Sequence, residues 1–178
     1  MSETVSIRRY ESGDYPAVAE ITRCAFAPVA LDAKIETALG PLNGTCWWER
    51  KCADIVQEMA AEPGGGFVAV AGDRVVGYIT TEINLHTSVG RIPNLAVDPG
   101  YHGRGTGKAL LRRALAYFRE LNLQTYRLET TEDNVTGQAL YPRFGFQEMT
   151  RLIIYAMSAD QATALALDAD PATDGKQA

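Results

Sequence analysis

Histidine is scarce in this chain. His86 and His102 are the only two among 178 residues, and a turn-rich stretch separates them. No spacing of these two with Cys24, Cys46 and Cys52 matches the ligand patterns of a structural or catalytic zinc site, so no metal is expected. The cysteines are odd in number and lack Cys-x-x-Cys spacing, which excludes a disulfide framework and points to reduced thiols. Long apolar runs are missing too: nothing approaches the roughly eighteen consecutive apolar residues of a membrane span. The opening Met1-Ser2-Glu3-Thr4 has neither the basic nor the apolar region of a secretory signal. The expectation is a cytoplasmic protein that does not bind membranes. Positive charge is also in deficit, with 17 Lys and Arg against 22 Asp and Glu. A general nucleic-acid binder needs a phosphate-neutralising basic surface, so nucleic acid is not an expected partner.

What is present suits a packed domain. The chain is 46% hydrophobic and 22% charged, near the globular average and far from disordered compositions, and its length suffices for one core. Residues 5–157 are read as that domain. The Ala- and Asp-rich residues 158–178 are read as a tail, helical and then disordered. Along the domain, residues 5–10 alternate as a strand, and Ser12-Gly13-Asp14 supplies a turn and a cap for a helix to about Ala27. Residues 28–46 mix helical pieces with the turn signals Gly40-Pro41 and Asn43-Gly44. Trp47–Glu62 has Trp48, Cys52, Ile55, Val56 and Met59 at helical spacing, and Pro63-Gly64-Gly65-Gly66 ends it. Two β-rich runs, 67–71 and 75–85, flank the hairpin signal Gly72-Asp73-Arg74. Residues 89–97 read as a third strand. A helix then starts near Gly105, with Leu110, Leu111, Ala114, Leu115 and Phe118 on one face, and Asn122 ends it. A strand at 126–130, a short helix at 134–144 and a final strand or pair of strands at 148–157 complete the order. There is no internal repeat, and the class is mixed α/β.

The segment richest in chemical meaning runs from Asn94 to Lys108, where a strand passes through Gly103, Gly105 and Gly107 into a basic helix. Between His102 and Arg119 lie Arg104, Lys108, Arg112, Arg113 and Arg119 and no acid. Such a turn offers backbone N–H groups and a positive helix end to an anion, with no Cβ in the way. A P-loop would need Gly at 102 and Ser or Thr at 109, where His and Ala stand. A dinucleotide-binding turn fits Gly103 and Gly105 but needs a third glycine where Lys108 stands. Glu129 does lie about where that turn's ribose-binding acid belongs, but the preceding hairpin is antiparallel whereas that unit is parallel.

The same loop, His102-Gly103-Arg104-Gly105-Thr106-Gly107, following Leu95-Ala96-Val97-Asp98-Pro99, resembles the acetyl-CoA loop of the GCN5-related N-acetyltransferase (GNAT) superfamily. The later stretch Asn134-Val135-Thr136-Gly137-Gln138-Ala139-Leu140-Tyr141-Pro142-Arg143-Phe144-Gly145-Phe146 resembles a second motif of that family, at the right distance. The likeness covers most of residues 5–157. It departs at His102, where Gln or Arg is usual, at Gly137, where Ala is common, and at Pro142, which removes a helical N–H.

The resemblance implies a mostly antiparallel sheet of about six or seven strands flanked by helices. It implies acetyl-CoA as cosubstrate and direct transfer to a primary amine of a small molecule or protein. The backbone of Leu95, Ala96 and Val97 would hold the pantetheine arm, with the Leu95 N–H on the thioester carbonyl. Amides of Gly103, Arg104, Gly105, Thr106, Gly107 and Lys108 would take the pyrophosphate, His102 would belong to the same cofactor-binding loop, and Asn134 would cap a helix and touch the cofactor. Tyr141 would be the general acid. In ribosomal-protein alanine acetyltransferases a glutamate twelve residues before the tyrosine is the base, a spacing matched by Glu129. Arg91 stands where histone-type relatives carry a glutamate and cannot take a proton; Glu82 and water are the reserves. Phe26, Trp47 and Trp48 are expected at the acceptor pocket, built by residues 28–48 and the hairpin near His86. A homodimer is compatible with the sequence. A non-catalytic acyl-CoA sensor of the same fold is the alternative, and a nucleotide-binding oxidoreductase the more distant one.

Overall fold

The computed structural model describes residues 4–164. The order of elements is β1 (Val5–Arg9), α1 (Tyr15–Phe26), α2 (Leu31–Leu39), α3 (Trp47–Ala60), β2 (Gly64–Ala71), β3 (Arg74–Asn84), β4 (Val89–Ile92), β5 (Leu95–Val97), α4 (Thr106–Glu120), β6 (Thr125–Leu128), α5 (Val135–Leu140) and α6 (Ala159–Ala164). One six-stranded sheet has the order β1-β2-β3-β4-β6, with β5 also paired to β3. All pairs are antiparallel except β4 with β6.

Each face of the sheet carries its own core. On one side α4 packs Leu110, Leu111, Ala114 and Phe118 against Phe67, Ala69, Val76 and Ile79. On the other, Val18 and Ile21 of α1 and Ile55 and Met59 of α3 cover Val68, Tyr78 and Ala96. Full burial of each large side chain contributes about 1.5–3 kcal/mol before entropy is counted. The Tyr78 hydroxyl, inside the second core, shares a 2.7 Å hydrogen bond with Thr22, so the phenol meets no unsatisfied burial.

Several sequence boundaries shift for identifiable reasons. The glycines at 64–66 do not merely end a helix. They open β2, where the Gly64 N–H donates to the Tyr117 hydroxyl at 3.2 Å. The strand read at 89–97 is two, because β3 pairs with β4 through Glu82–Asn84 and with β5 through Gly77–Ile79, and Pro93-Asn94 lies between. Pro142 ends α5 early, and Tyr141–Phe144 continues as a 3₁₀ turn. The final strand expected at 148–157 does not form: these residues join no sheet and are exposed. The tail expectation reaches only α6 here, and its remainder lies outside the described residues.

At the start of the fold the buried Asp14 carboxylate accepts two 2.7 Å bonds from Arg8 and one from the Glu11 N–H at 2.9 Å. The Arg8 hydrogen bonds hold this carboxyl below its usual range, outweighing the opposite effect of burial. A depressed carboxyl stabilises the fold fully above its unfolded value near pH 4, and that contribution is lost as pH falls through the folded value. Asp14→Asn should therefore cost about 1–2 kcal/mol at neutral pH, the exposure of Arg8 moderating the effect. Denaturant melts of the two proteins should converge as pH drops below about 4.

Candidate active site

The site is set by the way the sheet opens. β4 and β5 follow one another along β3, but β6 pairs with β4 alone, from Val89↔Thr125 to Ile92↔Leu128. Past Ile92 no strand among the described residues lies on the free side of β5, and a gap opens between β5 and the residues after Leu128. Antiparallel pairing then decides which backbone groups face that gap. The Thr80 N–H bonds the Asn94 carbonyl and the Asp98 N–H bonds the Val76 carbonyl, both at 2.9 Å. Since bonded and non-bonded pairs alternate, Ala96 is turned toward Tyr78, while the amides and carbonyls of Leu95 and Val97 point away from β3 into the gap.

This corrects one expectation. Ala96 has its side chain in the core, 4% exposed, and its backbone against β3, so it offers no group to a ligand. Val97 is also partly engaged, because His102 Nε2 donates to its carbonyl at 2.9 Å. Leu95 keeps an outward N–H.

A cavity of about 140 Å³ occupies the gap and is lined by Leu95, Glu129, Asn134 and Tyr141, together with Phe26 and Lys51 from the helical side. Four residues singled out in the sequence thus converge on one space. The Tyr141 ring stacks edge-on with Phe146 at 6.2 Å between centroids. Burial raises its phenol above the ordinary value, keeping the proton on the oxygen. The Asn134 side chain caps α5, accepting from the Gly137 N–H at 3.0 Å and donating to Thr130 Oγ1 at 2.9 Å. A Cβ at Gly137 would sit 2.7 Å from Asn134 Nδ2 and 3.0 Å from the Tyr141 ring, so alanine here would require the Asn134 amide to shift.

Glu129 is tied on one oxygen. Arg91 donates to its Oε2 from Nε at 2.9 Å and from Nη2 at 2.8 Å, and to Glu82 Oε2 from Nη1 at 2.8 Å. Burial opposes the Arg91 charge, but the two carboxylates more than offset it and raise the guanidinium above its ordinary value. Glu129 Oε1 has only a 3.8 Å approach from Arg127. Arg91 thus positions the very carboxylate that the spacing to Tyr141 singled out.

At the other end of β5, Gly103 (φ +74°) and Gly105 (φ +85°) hold left-handed backbone, and a Cβ placed on either would meet no atom within 4 Å. Gly105 precedes α4 without a side-chain cap, so the N–H groups of its first turn have no intrahelical partner. Thr106 Oγ1 is buried and unbonded. Along α4, Lys108, Arg112 and Arg119 share a groove with Arg143 and Phe144.

The acceptor-side wall was only partly legible in the sequence. Phe26 lines the cavity with Lys51 Nζ 4.5 Å above its ring, whereas Trp47 and Trp48 begin α3 and do not reach it. His86 is exposed on the β3–β4 turn and also stays away. Val29, Ala30 and Leu31 complete this side, fastened by Thr131 Oγ1 to the Val29 carbonyl at 3.3 Å and by Lys34 to Asp133 at 2.6 Å. Val29 lies in the stretch 28–48 expected to build this side, whereas no local pattern announced Lys51, which meets Glu129 only in three dimensions. The three thiols lie outside the cavity lining. Each is raised above its ordinary value, Cys24 by a bond to Glu20, Cys46 by one to Glu49, and Cys52 by burial, which disfavours a thiolate nucleophile. Among the described residues no three His, Cys, Asp or Glu side chains gather as a metal site, and no helix is long and apolar enough to cross a membrane.

A family model described as "Acetyltransferase (GNAT) family" matches residues 15–146, most of the chain and all of this site. The chain belongs to the GNAT family. Among curated GNAT relatives, mycothiol acetyltransferase of Rhodococcus jostii (strain RHA1) is 28% identical over 162 residues, covering 86% of this chain and 49% of the relative. The N-acetylaspartate synthetase of Xenopus tropicalis is 30% identical over 105 residues, covering 58% of this chain and 39% of the relative. The chain spans about half or less of the length of such curated relatives. In solved structures the GNAT fold recurs in the ribosomal-protein-S18-alanine N-acetyltransferase from Escherichia coli, at TM-score 0.65 and 24% identity over 88% of this chain and 86% of that one. It recurs in PaiA N-acetyltransferase from Thermoplasma acidophilum in complex with coenzyme A, at TM-score 0.64 and 20% identity over 81% and 90%. The mixed, mostly antiparallel sheet expected from the sequence is the fold they share.

Proposed function

We propose that this chain transfers an acetyl group from acetyl-CoA directly to a primary amine, working in the cytoplasm. The observation that carries the reading is the outward Leu95 N–H in the same cavity as the Tyr141 phenol, with the open glycine turn at the far end of β5. Acetyl-CoA would supply the acyl group as an activated thioester. The residues fit it: Gly103 and Gly105 leave the loop amides accessible, Thr106 Oγ1 is a buried polar atom awaiting a partner, and Lys108 and Arg112 add positive charge nearby. The Leu95 N–H is placed to polarise a carbonyl oxygen. Tyr141 Oη holds a proton for a basic leaving group, and Glu129 Oε1, left open by Arg91, takes the proton of the acceptor ammonium directly or through water.

The acceptor is read as an amine on a small molecule or protein that reaches the cavity past Phe26 and Lys51. Purified protein given acetyl-CoA and a panel of primary amines should release free CoA thiol only when an amine is present. Tight CoA binding without amine-dependent thiol release would instead support the non-catalytic sensor. That second reading has one observation of its own, the His102 bond that occupies the Val97 carbonyl.

A further inference from the structure

The strand register slips just before Leu95. Glu82 pairs with Arg91 and Ile79 with Leu95, so three steps along β3 are matched by four along the chain of β4 and β5, and the extra residue makes a bulge. Thr80 and Asn94 stand where the next bonded pair of the β3–β5 ladder belongs, and that pair is half made. The Thr80 N–H donates to the Asn94 carbonyl at 2.9 Å. The reciprocal donor, the Asn94 N–H, goes instead to Thr80 Oγ1 at 3.1 Å. A trans peptide points its carbonyl and the following N–H in opposite directions. The Asn94 carbonyl is drawn to β3, so the Leu95 N–H of the same plane is turned into the gap. Whatever holds Asn94 therefore aims Leu95.

Thr80 and Asn94 are 0% and 4% exposed, and both turn to one carboxylate of α3. Asn94 Nδ2 donates to Glu58 Oε2 at 2.6 Å and to Thr80 Oγ1 at 3.2 Å. The Thr80 hydroxyl bonds the same carboxylate; burial raises the Glu58 carboxyl, and the bonds from Thr80 and Asn94 act against that rise. A hydroxyl has one proton and two lone pairs. With the Thr80 proton on Glu58, both lone pairs of Oγ1 are free, and Asn94 takes both, one through its main-chain N–H and one through Nδ2. Asn94 Oδ1 is buried with no hydrogen-bond partner among the described residues, a cost that an apolar residue would avoid; Asn94 serves here through its donors. None of the three side chains lines the cavity.

We propose that Glu58 is a positioning residue: through the Thr80 hydroxyl and the Asn94 amide it locks the bulge and aims the Leu95 N–H at the thioester carbonyl. This role rests on the acetyl transfer proposed above and places control of the polarising donor behind the strand that carries it. Without the carboxylate the Thr80 hydroxyl is free to rotate, the Asn94 N–H loses a fixed acceptor, and a misaligned Leu95 N–H polarises the carbonyl less.

Thr80→Val keeps the side-chain shape and removes the hydroxyl, whereas Thr80→Ser returns it. Glu58→Leu removes the acceptor, whereas the amide oxygen of Glu58→Gln still accepts. Acetyl-CoA isotopically labelled at the thioester carbonyl should show a lower infrared carbonyl frequency when bound to the wild type than when free. Thr80→Val and Glu58→Leu should lose much of that shift. With the panel amine that gives the most thiol release, their single-turnover rates should fall about tenfold or more at unchanged CoA affinity. Thr80→Ser and Glu58→Gln should recover most of both. A purely structural role would lower the melting temperature and leave the carbonyl frequency in place. If Thr80→Val does not fold, the half-buried Glu58 site gives the same comparison through Glu58→Leu and Glu58→Gln. A wild-type shift that survives in the folded variants overturns the role of Glu58 and leaves acetyl transfer standing. Loss of the shift without recovery in the conservative variants overturns it too, since shape and not hydrogen bonding would then be in control. A wild type that binds acetyl-CoA with no carbonyl shift and releases no thiol to any amine removes the acetyl-transfer reading, and this role with it.

Discussion

Tyr141→Phe should slow acetyl transfer about 10²-fold or more while leaving CoA affinity and stability nearly unchanged. The substitution removes one oxygen and keeps the ring that stacks on Phe146. That hydroxyl has burial as the sole cause of its raised value and no protein partner acting on it, so no buried group is orphaned by its loss. A fall in rate at constant CoA affinity is the signature of an interaction made in the transition state alone. Single-turnover rates and calorimetric CoA titration on the same preparation make the comparison. Full single-turnover activity in the variant would remove the phenol from the chemistry. Glu129→Gln provides the contrast. Its defect should shrink as pH rises and more of the acceptor amine is neutral in solution, whereas the Tyr141→Phe defect should not follow that course. The glutamine also loses its charge pairing with Arg91, so thermal melts belong beside the rates.

Gly105→Val should weaken CoA binding about tenfold or more and leave a folded protein. Gly105 has φ +85°, where a branched L-residue is strained by about 1–2 kcal/mol. That energy is equivalent to about a tenfold change in an equilibrium constant. Apart from its chain neighbours no residue lies within 4 Å of the added Cβ position, so the damage falls on the loop backbone and on whatever approaches it. The core beneath α4, built on Leu110, Leu111 and Phe118, is untouched. Calorimetric titration with CoA reads the change directly, and unchanged affinity would remove the glycine turn from the binding site.

The chemistry of the site was written locally and could be read locally. Gly103-Arg104-Gly105 and the helix after it are contiguous, and the turn needs no distant residue to adopt left-handed backbone. The twelve-residue spacing between Glu129 and Tyr141 likewise lies within one stretch of chain, and both side chains do line a common cavity. Interior residues were legible for a related reason. The periodicity of α4 marks Leu110, Leu111, Ala114, Leu115 and Phe118; Leu115 is half-buried and the other four are buried.

Other features depended on register, which no local pattern carries. Leu95, Ala96 and Val97 look equivalent in sequence, and only the pairing of β5 with β3 turns the middle one inward and its neighbours toward the gap. Arg91 was recognised as unable to accept a proton, but its place between Glu82 and Glu129 follows from the parallel β4–β6 pairing. Phe26 and Lys51 belong to helices remote in sequence from Tyr141, and they reach the cavity because α1 and α3 cover the opposite face from α4. Residues 148–157 show the same division from the other side. Their composition declares a strand, but a strand needs a partner edge to become one, and the tertiary structure of the single chain leaves that edge and that strand apart. Propensity and turn chemistry are properties of neighbours in sequence, so the sequence alone determined the mixed α/β class and the glycine turn, and its resemblance to the GNAT family named the acid–base candidates. Pairing and burial are properties of neighbours in space, so only the folded chain decided which of those groups face one another.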